Sequence, residues 1–182
     1  MLMMTNEDTV LLIIDVQGKL ASLVYESEIV EKNIRKLIKA CRVLDVPILY
    51  AEQYPKGLGR TIEAVRELLT EEAPHEKITF SCCGSPDFME HLRSLKRNEV
   101  IVTGIETHVC VYQTSIDLME YGYNVHLITD AVSSRAREDR ETGFHCIEKA
   151  GAWLKSTEMA IFELLRVAQG EKFKEISAII KA

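Results

Sequence analysis

A cysteine, an aspartate and a lysine can together make a nucleophilic site. The thiol attacks, the carboxylate takes its proton, and the ammonium holds the developing negative charge. In this chain Cys110, Asp15 and Lys77 stand where such parts would be presented. Cys110 follows the β-branched run Val100-Ile101-Val102 and Gly104. From Val109 onward the apolar residues Val109, Val111, Ile116 and Met119 fall near helical intervals, with Leu118 and Tyr121 widening the face. The spacing predicts a buried strand, a glycine turn, and a helix starting close to Cys110. Such a turn exposes a side chain at the carboxyl edge of a sheet, and helix N-terminal N–H groups favour negative charge there. The thiol is therefore expected to titrate below the usual value of about 8.5. Buried packing is the competing reading of a lone cysteine after a strand.

Asp15 ends the apolar run Thr9-Val10-Leu11-Leu12-Ile13-Ile14, which has the composition of a parallel strand buried on both faces. A carboxylate there either caps the following turn or acts in the crevice above the sheet. Lys77 opens Lys77-Ile78-Thr79-Phe80, read as a short third strand, and is otherwise an ordinary surface lysine. In a doubly wound sheet, ligands sit at the carboxyl ends of the strands where the winding reverses. If the first and fourth strands are neighbours, Asp15 and Cys110 face each other across that crevice, with Lys77 in reach.

The elements that must position these groups follow in order. A helix runs from Ser27 or Glu28 through Leu44, the second strand covers Pro47–Ala51, and a polar loop runs from Glu52 to Arg60. Gly57 and Gly59 in that loop lack the Gly-Lys-Ser/Thr ending of a phosphate loop. Thr61 caps a helix ending near Thr70, and Pro86 begins another at its first position. After the Cys110 stretch come a strand over Tyr123–Thr129, a helix from Arg137 to Gly151, a weaker strand at Ala152–Lys155, and two further helices. Six strand-then-helix units without a linker predict one α/β domain spanning residues 1–182 with a parallel sheet.

The chain has 182 residues, a formal charge of −6 and five cysteines. The charge and the lack of a Lys/Arg-rich run argue against nucleic acid as the main partner and favour a small-molecule substrate. No apolar run approaches the roughly 18 residues of a membrane span, and Met1–Thr9 has no secretory layout, so a cytoplasmic protein, or one of an organelle matrix, is expected. An odd cysteine count without C-x-x-C spacing argues against a disulfide framework or a structural zinc site. The adjacent pair Cys82-Cys83 reads as packing or pocket lining.

At these residues the chain resembles the isochorismatase-like cysteine hydrolases. The matching positions are L-L-I-I-D-V-Q around Asp15, E-K-I-T-F-S around Lys77 and V-T-G-I-E-T-H-V-C-V around Cys110. It is most similar to the short isochorismatase domain-containing subgroup, through A-E-Q-Y-P-K-G-L-G, T-D-A-V-S-S-R and G-A-W-L-K-S-T-E. The resemblance implies a three-layer, Rossmann-like fold with a six-stranded parallel sheet in the order 3-2-1-4-5-6. It implies a Cys110-Asp15-Lys77 triad, a cis peptide at Ile105–Glu106, and an oxyanion hole from the amides of Glu106 and Cys110. Nicotinamidase-type members bind a metal through an Asp and two His near the second strand. Here that region reads Glu52-Gln53-Tyr54, so neither a metal nor another cofactor is expected.

The expected function is metal-free hydrolysis of a small amide or related C–N bond through a thioester on Cys110, with Gln17, Gln53, Tyr54 and Phe80 lining the pocket. Two alternatives stand beside it. One is isochorismatase-type cleavage of a vinyl ether by Asp15 and Lys77 without covalent catalysis, and the other is a small-molecule-binding or thiol-sensing protein on the same fold. A homo-oligomer, dimer or tetramer, is expected from the resemblance and from the C-terminal amphipathic helix.

Overall fold

Short runs rich in Val, Ile and Leu form the centre of the molecule. The computed structural model describes residues 3–182, so the Met1–Thr9 stretch considered above begins outside them. The strands are β1 (Thr9–Ile14), β2 (Ile48–Gln53), β3 (His75–Lys77), β4 (Glu99–Ile105), β5 (Asn124–Ser133) and β6 (Trp153–Lys155). They make one six-stranded sheet in the order β3-β2-β1-β4-β5-β6, with every neighbouring pair parallel. The helices are α1 (Leu20–Leu23), α2 (Ser27–Val43), α3 (Pro55–Leu58), α4 (Glu63–Arg66), α5 (Pro86–Ser94), α6 (Tyr112–Glu120), α7 (Arg137–Lys149), α8 (Thr157–Leu165) and α9 (Gly170–Lys181).

Alternation along β1 feeds two cores. Leu11 and Ile13 pack with Ile34 and Leu37 of α2, Ile161 of α8 and Ile176 of α9, whereas Val10, Leu12 and Ile14 pack with Phe88 of α5, Leu118 of α6 and Ile147 of α7. The period-two alternation of strand side chains makes every β1 residue a core residue. Full burial of each such side chain contributes about 1.5–3 kcal/mol, which holds the site-bearing strands rigidly side by side. Among the described residues no helix is long and apolar enough to cross a membrane.

Several boundaries differ from expectation for identifiable reasons. The third strand is His75–Lys77, not Lys77–Phe80, because the chain after Lys77 curls round that side chain and turns the carbonyls of Thr79 and Phe80 onto its ammonium. Thr61 caps no helix. Its N–H and hydroxyl both donate to the buried Glu52 carboxylate, and the helix that follows is the single turn α4. The polar loop after β2 contains the short α3, begun by Pro55. β5 continues past Thr129 to Ser133, with its register to β4 shifting between Val102 and Gly104.

Gly104 sits at that shift with φ +113, and a Cβ built on it would lie 2.0 Å from the Ile14 carbonyl oxygen. Only glycine lets β4 approach the end of β1 so closely. Gly104→Ala is expected to destabilise the fold by at least about 2 kcal/mol in urea unfolding, and an unchanged midpoint would contradict this account of the β1–β4 approach.

Candidate active site

The carboxyl edge of β1, β3 and β4 gathers the three reactive side chains. Asp15 follows β1 in the left-handed region, φ 53, with its N–H donating to the Ala51 carbonyl at 3.2 Å. That conformation is tolerated better by aspartate than by most side chains. Lys77 is the last residue of β3, and its Nζ donates to Asp15 Oδ2 at 2.7 Å, Gln53 Oε1 at 2.7 Å, Phe80 O at 2.9 Å and Thr79 O at 3.3 Å. Both charged side chains are almost wholly buried. Cys110 is the fourth residue of a wide π-type turn, Thr107–Val111, which precedes α6 and is closed by Val111 N–H donating to Glu106 O at 3.2 Å. The Ile105–Glu106 peptide leading into it is cis.

Asp15 Oδ1 is buried without a hydrogen-bond partner. A buried carboxylate oxygen left in this state is an acceptor in waiting. The Cys110 thiol lies close enough to Asp15 and Lys77 for both charges to shift its titration, although no thiol–carboxylate hydrogen bond of regular geometry is formed.

The electrostatics differ from a preformed thiolate. Burial pushes the Cys110 thiol up to about 12, Asp15 adds to the rise, and Lys77 opposes it. The expectation of a lowered value fails because Lys77 is already neutralised by Asp15, so a thiolate here would be a net negative charge out of water. Burial also raises the Asp15 carboxyl above its ordinary value against the pull of Lys77, which makes it a stronger base. Burial works against the Lys77 ammonium, but the Asp15 carboxylate outweighs it and raises its value. The resting arrangement is a neutral thiol beside an ion pair.

The four residues expected to line the pocket divide. Gln17 is fully buried, with its amide donating to the carbonyls of Gln53 and Gly59 and its oxygen accepting from Gln53 N–H, so it stitches β2 to the following loop and does not face a ligand. Gln53 holds Lys77 and donates to the Ile78 carbonyl. Tyr54 and Phe80 are exposed on the surface. A surface hollow of about 250 Å³ lies beside Lys77, walled by Tyr54, Pro55, Lys56, Glu76 and Ile78, and neither Asp15 nor Cys110 lines it. Larger hollows lie on other faces, and none of the three reactive residues lines them.

Sequence inspection missed two supports. Glu52 accepts from Thr61 and from Arg60 at 2.8 Å, so both oxygens are used and its carboxyl is held below the usual range; burial alone would raise it. Among the described residues no group of three His, Cys, Asp or Glu side chains is placed to hold a metal. Glu106 Oε1 accepts from the backbone N–H and the Nε of Arg135, each at 3.0 Å. Neither contact has a sequence signature, since the partners are brought together by tertiary structure.

Comparison with known proteins identifies the family and agrees with this fold. A family model described as the isochorismatase domain matches residues 9–159. Isochorismatase domain-containing protein 2 of Danio rerio is 36% identical over 179 residues, covering 97% of this chain and 89% of that protein. The structure of MAR1 ribonuclease from Caenorhabditis elegans superposes with a TM-score of 0.93 at 40% identity, over 100% of this chain and 93% of that one. The YcaC gene product of Escherichia coli, described as an octameric hydrolase of unknown specificity, has a TM-score of 0.93 at 20% identity, over 99% of this chain and 90% of that one, a likeness of fold alone.

Removing the Asp15 charge should lower the Cys110 titration, because Asp15 contributes to its rise towards about 12. In a thiolate-absorbance titration, Asp15→Asn is therefore expected to form thiolate at lower pH than the wild type while losing turnover. A wild-type thiolate already present at neutral pH would contradict the neutral-thiol state. Lys77→Met, which strands Asp15 in the interior, should cost about 3–5 kcal/mol in denaturant unfolding, with much of that loss recovered in the Lys77→Met/Asp15→Asn double variant.

Proposed function

The chain belongs to the isochorismatase family of hydrolases, and from that membership we propose that it is a cysteine hydrolase of a small amide or related C–N bond that works without a metal. The observation that carries the reading is the unpartnered Asp15 Oδ1 beside Cys110, with the other oxygen of the same carboxylate fixed by Lys77.

Asp15 Oδ1 accepts the thiol proton as sulfur attacks the carbonyl carbon. The oxyanion that forms accepts hydrogen bonds from the amides of Glu106 and Cys110, each donor of this kind being worth about 2.7–4 kcal/mol. Among the described residues the Glu106 N–H has no backbone acceptor, so it is free for this use. Asp15 then passes the proton to the departing nitrogen, the C–N bond breaks, and the acyl group remains on sulfur. Water enters, Asp15 takes its proton, and the thioester is released as an acid with the thiol restored. Lys77 keeps Asp15 ionised and offsets the charge on sulfur while it attacks.

The ribonuclease name belongs to the C. elegans relative. In this chain the charge of −6 and the recessed ion pair favour a small molecule over an RNA backbone. Vinyl-ether cleavage by Asp15 and Lys77 would leave the placement of Cys110 without a role. Assembly into a homo-oligomer, as described for the E. coli relative, and residence in the cytoplasm or an organelle matrix complete the proposal.

Cys110→Ala is expected to keep its thermal midpoint within a few degrees and to lower hydrolysis of small amides by at least about a thousandfold. Substantial residual turnover would contradict covalent catalysis and favour the vinyl-ether chemistry.

A further inference from the structure

The motif T-D-A-V-S-S-R supplies no reactive group to the steps above, yet its last two residues grip the nucleophile turn. Arg135 lies between the end of β5 and the start of α7. Its backbone N–H and its Nε both donate to Glu106 Oε1 at 3.0 Å, and the preceding Ser134 lies 2.9 Å from Nδ1 of His108 through its hydroxyl. Behind the turn, Gly143 of α7 packs so closely that an added Cβ would meet the Thr107 methyl at 2.9 Å and its carbonyl at 3.0 Å. The residues flanking Thr107 are thus clamped from one side by a single connection.

Glu106 is the residue whose amide is proposed to hold the oxyanion. A hydrogen-bond donor of that kind acts through fixed geometry, so displacement of even a fraction of an ångström weakens it. The Arg135 side chain is 63% exposed while the Glu106 side chain is only 10% exposed, so the pair reaches from the surface to a nearly buried carboxylate. Ion pairs with one exposed partner contribute little to stability, and a stability role does not account for a two-point grip on one carboxylate oxygen. We infer that Arg135 is a positioning residue, holding the Glu106 carboxylate so that the Glu106 amide points at the oxyanion during acylation of Cys110. This rests on the cysteine-hydrolase reading of the site.

The test separates a step that builds an oxyanion from one that does not. Acylation by p-nitrophenyl acetate passes through a tetrahedral oxyanion, whereas alkylation by iodoacetamide displaces iodide at a saturated carbon and forms none. Rates of both at Cys110, read by nitrophenolate release and by peptide mass, are compared for wild type, Arg135→Ala and Arg135→Lys, with Cys110→Ala as the blank. Arg135→Ala is expected to slow acylation about tenfold or more, less than the roughly 10²–10³ of a donor lost outright because the backbone N–H of residue 135 still reaches Glu106. The loss should fall on kcat with KM little changed, the iodoacetamide rate and thermal midpoint should stay at wild-type values, and Arg135→Lys should recover part of the rate. Arg135→Ala acylating like wild type overturns the positioning role alone. Equal slowing of both reagents also overturns it, since the defect would then lie in the thiol. A wild type that p-nitrophenyl acetate does not acylate at Cys110 overturns the hydrolase reading and this inference with it.

Discussion

The buried ion pair between Lys77 and Asp15 is the constraint on which the rest of the site depends. Both charges are buried, so each needs partners from the protein, and the chain supplies them from the ends of three strands, β1, β2 and β3. Lys77 spends its donors on Asp15, Gln53, Thr79 and Phe80, which bends the chain after β3 into a tight wrap. Gln53 is held in turn by Gln17 and by the Ile78 carbonyl. Within this network of Lys77, Gln53 and Asp15, the second oxygen of the Asp15 carboxylate is left without a partner.

In the proposed mechanism that free oxygen lets a thiol pushed up to about 12 serve as a nucleophile. A standing thiolate in this site would place two negative charges beside one positive charge away from water. A neutral thiol avoids that cost, and in the proposed mechanism proton transfer to Asp15 coincides with bond formation, when the negative charge moves on to the carbonyl oxygen. The proposed reaction moves charge from sulfur to the carbonyl oxygen, and preorganised donors act most strongly on charge that develops in this way. The ion pair also separates this site from a free reactive thiol, whose reactivity follows its resting thiolate fraction.

Much of this was legible in the sequence. Asp15 and Cys110 stand at the ends of apolar runs whose length and composition mark buried strands, and a parallel sheet with β1 beside β4 brings those ends together. Lys77 was legible as a candidate only, because a lysine near a strand end looks the same whether it faces water or a carboxylate. The strand boundary after Lys77 was misplaced for the same reason: Ile78, Thr79 and Phe80 have strand propensity, and the demand of one buried ammonium for carbonyl partners overrides it. Gln17 follows Asp15 so closely that it suggested the pocket, but the chain reverses there and buries it. The direction of the Cys110 shift was not legible, since it depends on burial and on the prior pairing of Lys77. The Arg135–Glu106 contact joins residues from separate elements and leaves no local pattern to find.

Covalent catalysis in this site requires Cys110 to carry the acyl group of the substrate. The direct measurement is peptide mapping of a reaction with a turned-over small amide, quenched by acid during steady state. The account predicts a mass increase equal to the acyl group on the peptide containing Cys110, absent from the peptides of Cys41, Cys82, Cys83 and Cys146 and discharged by hydroxylamine. Steady turnover with Cys110 unmodified at every quench time, and no burst of released amine, would contradict it.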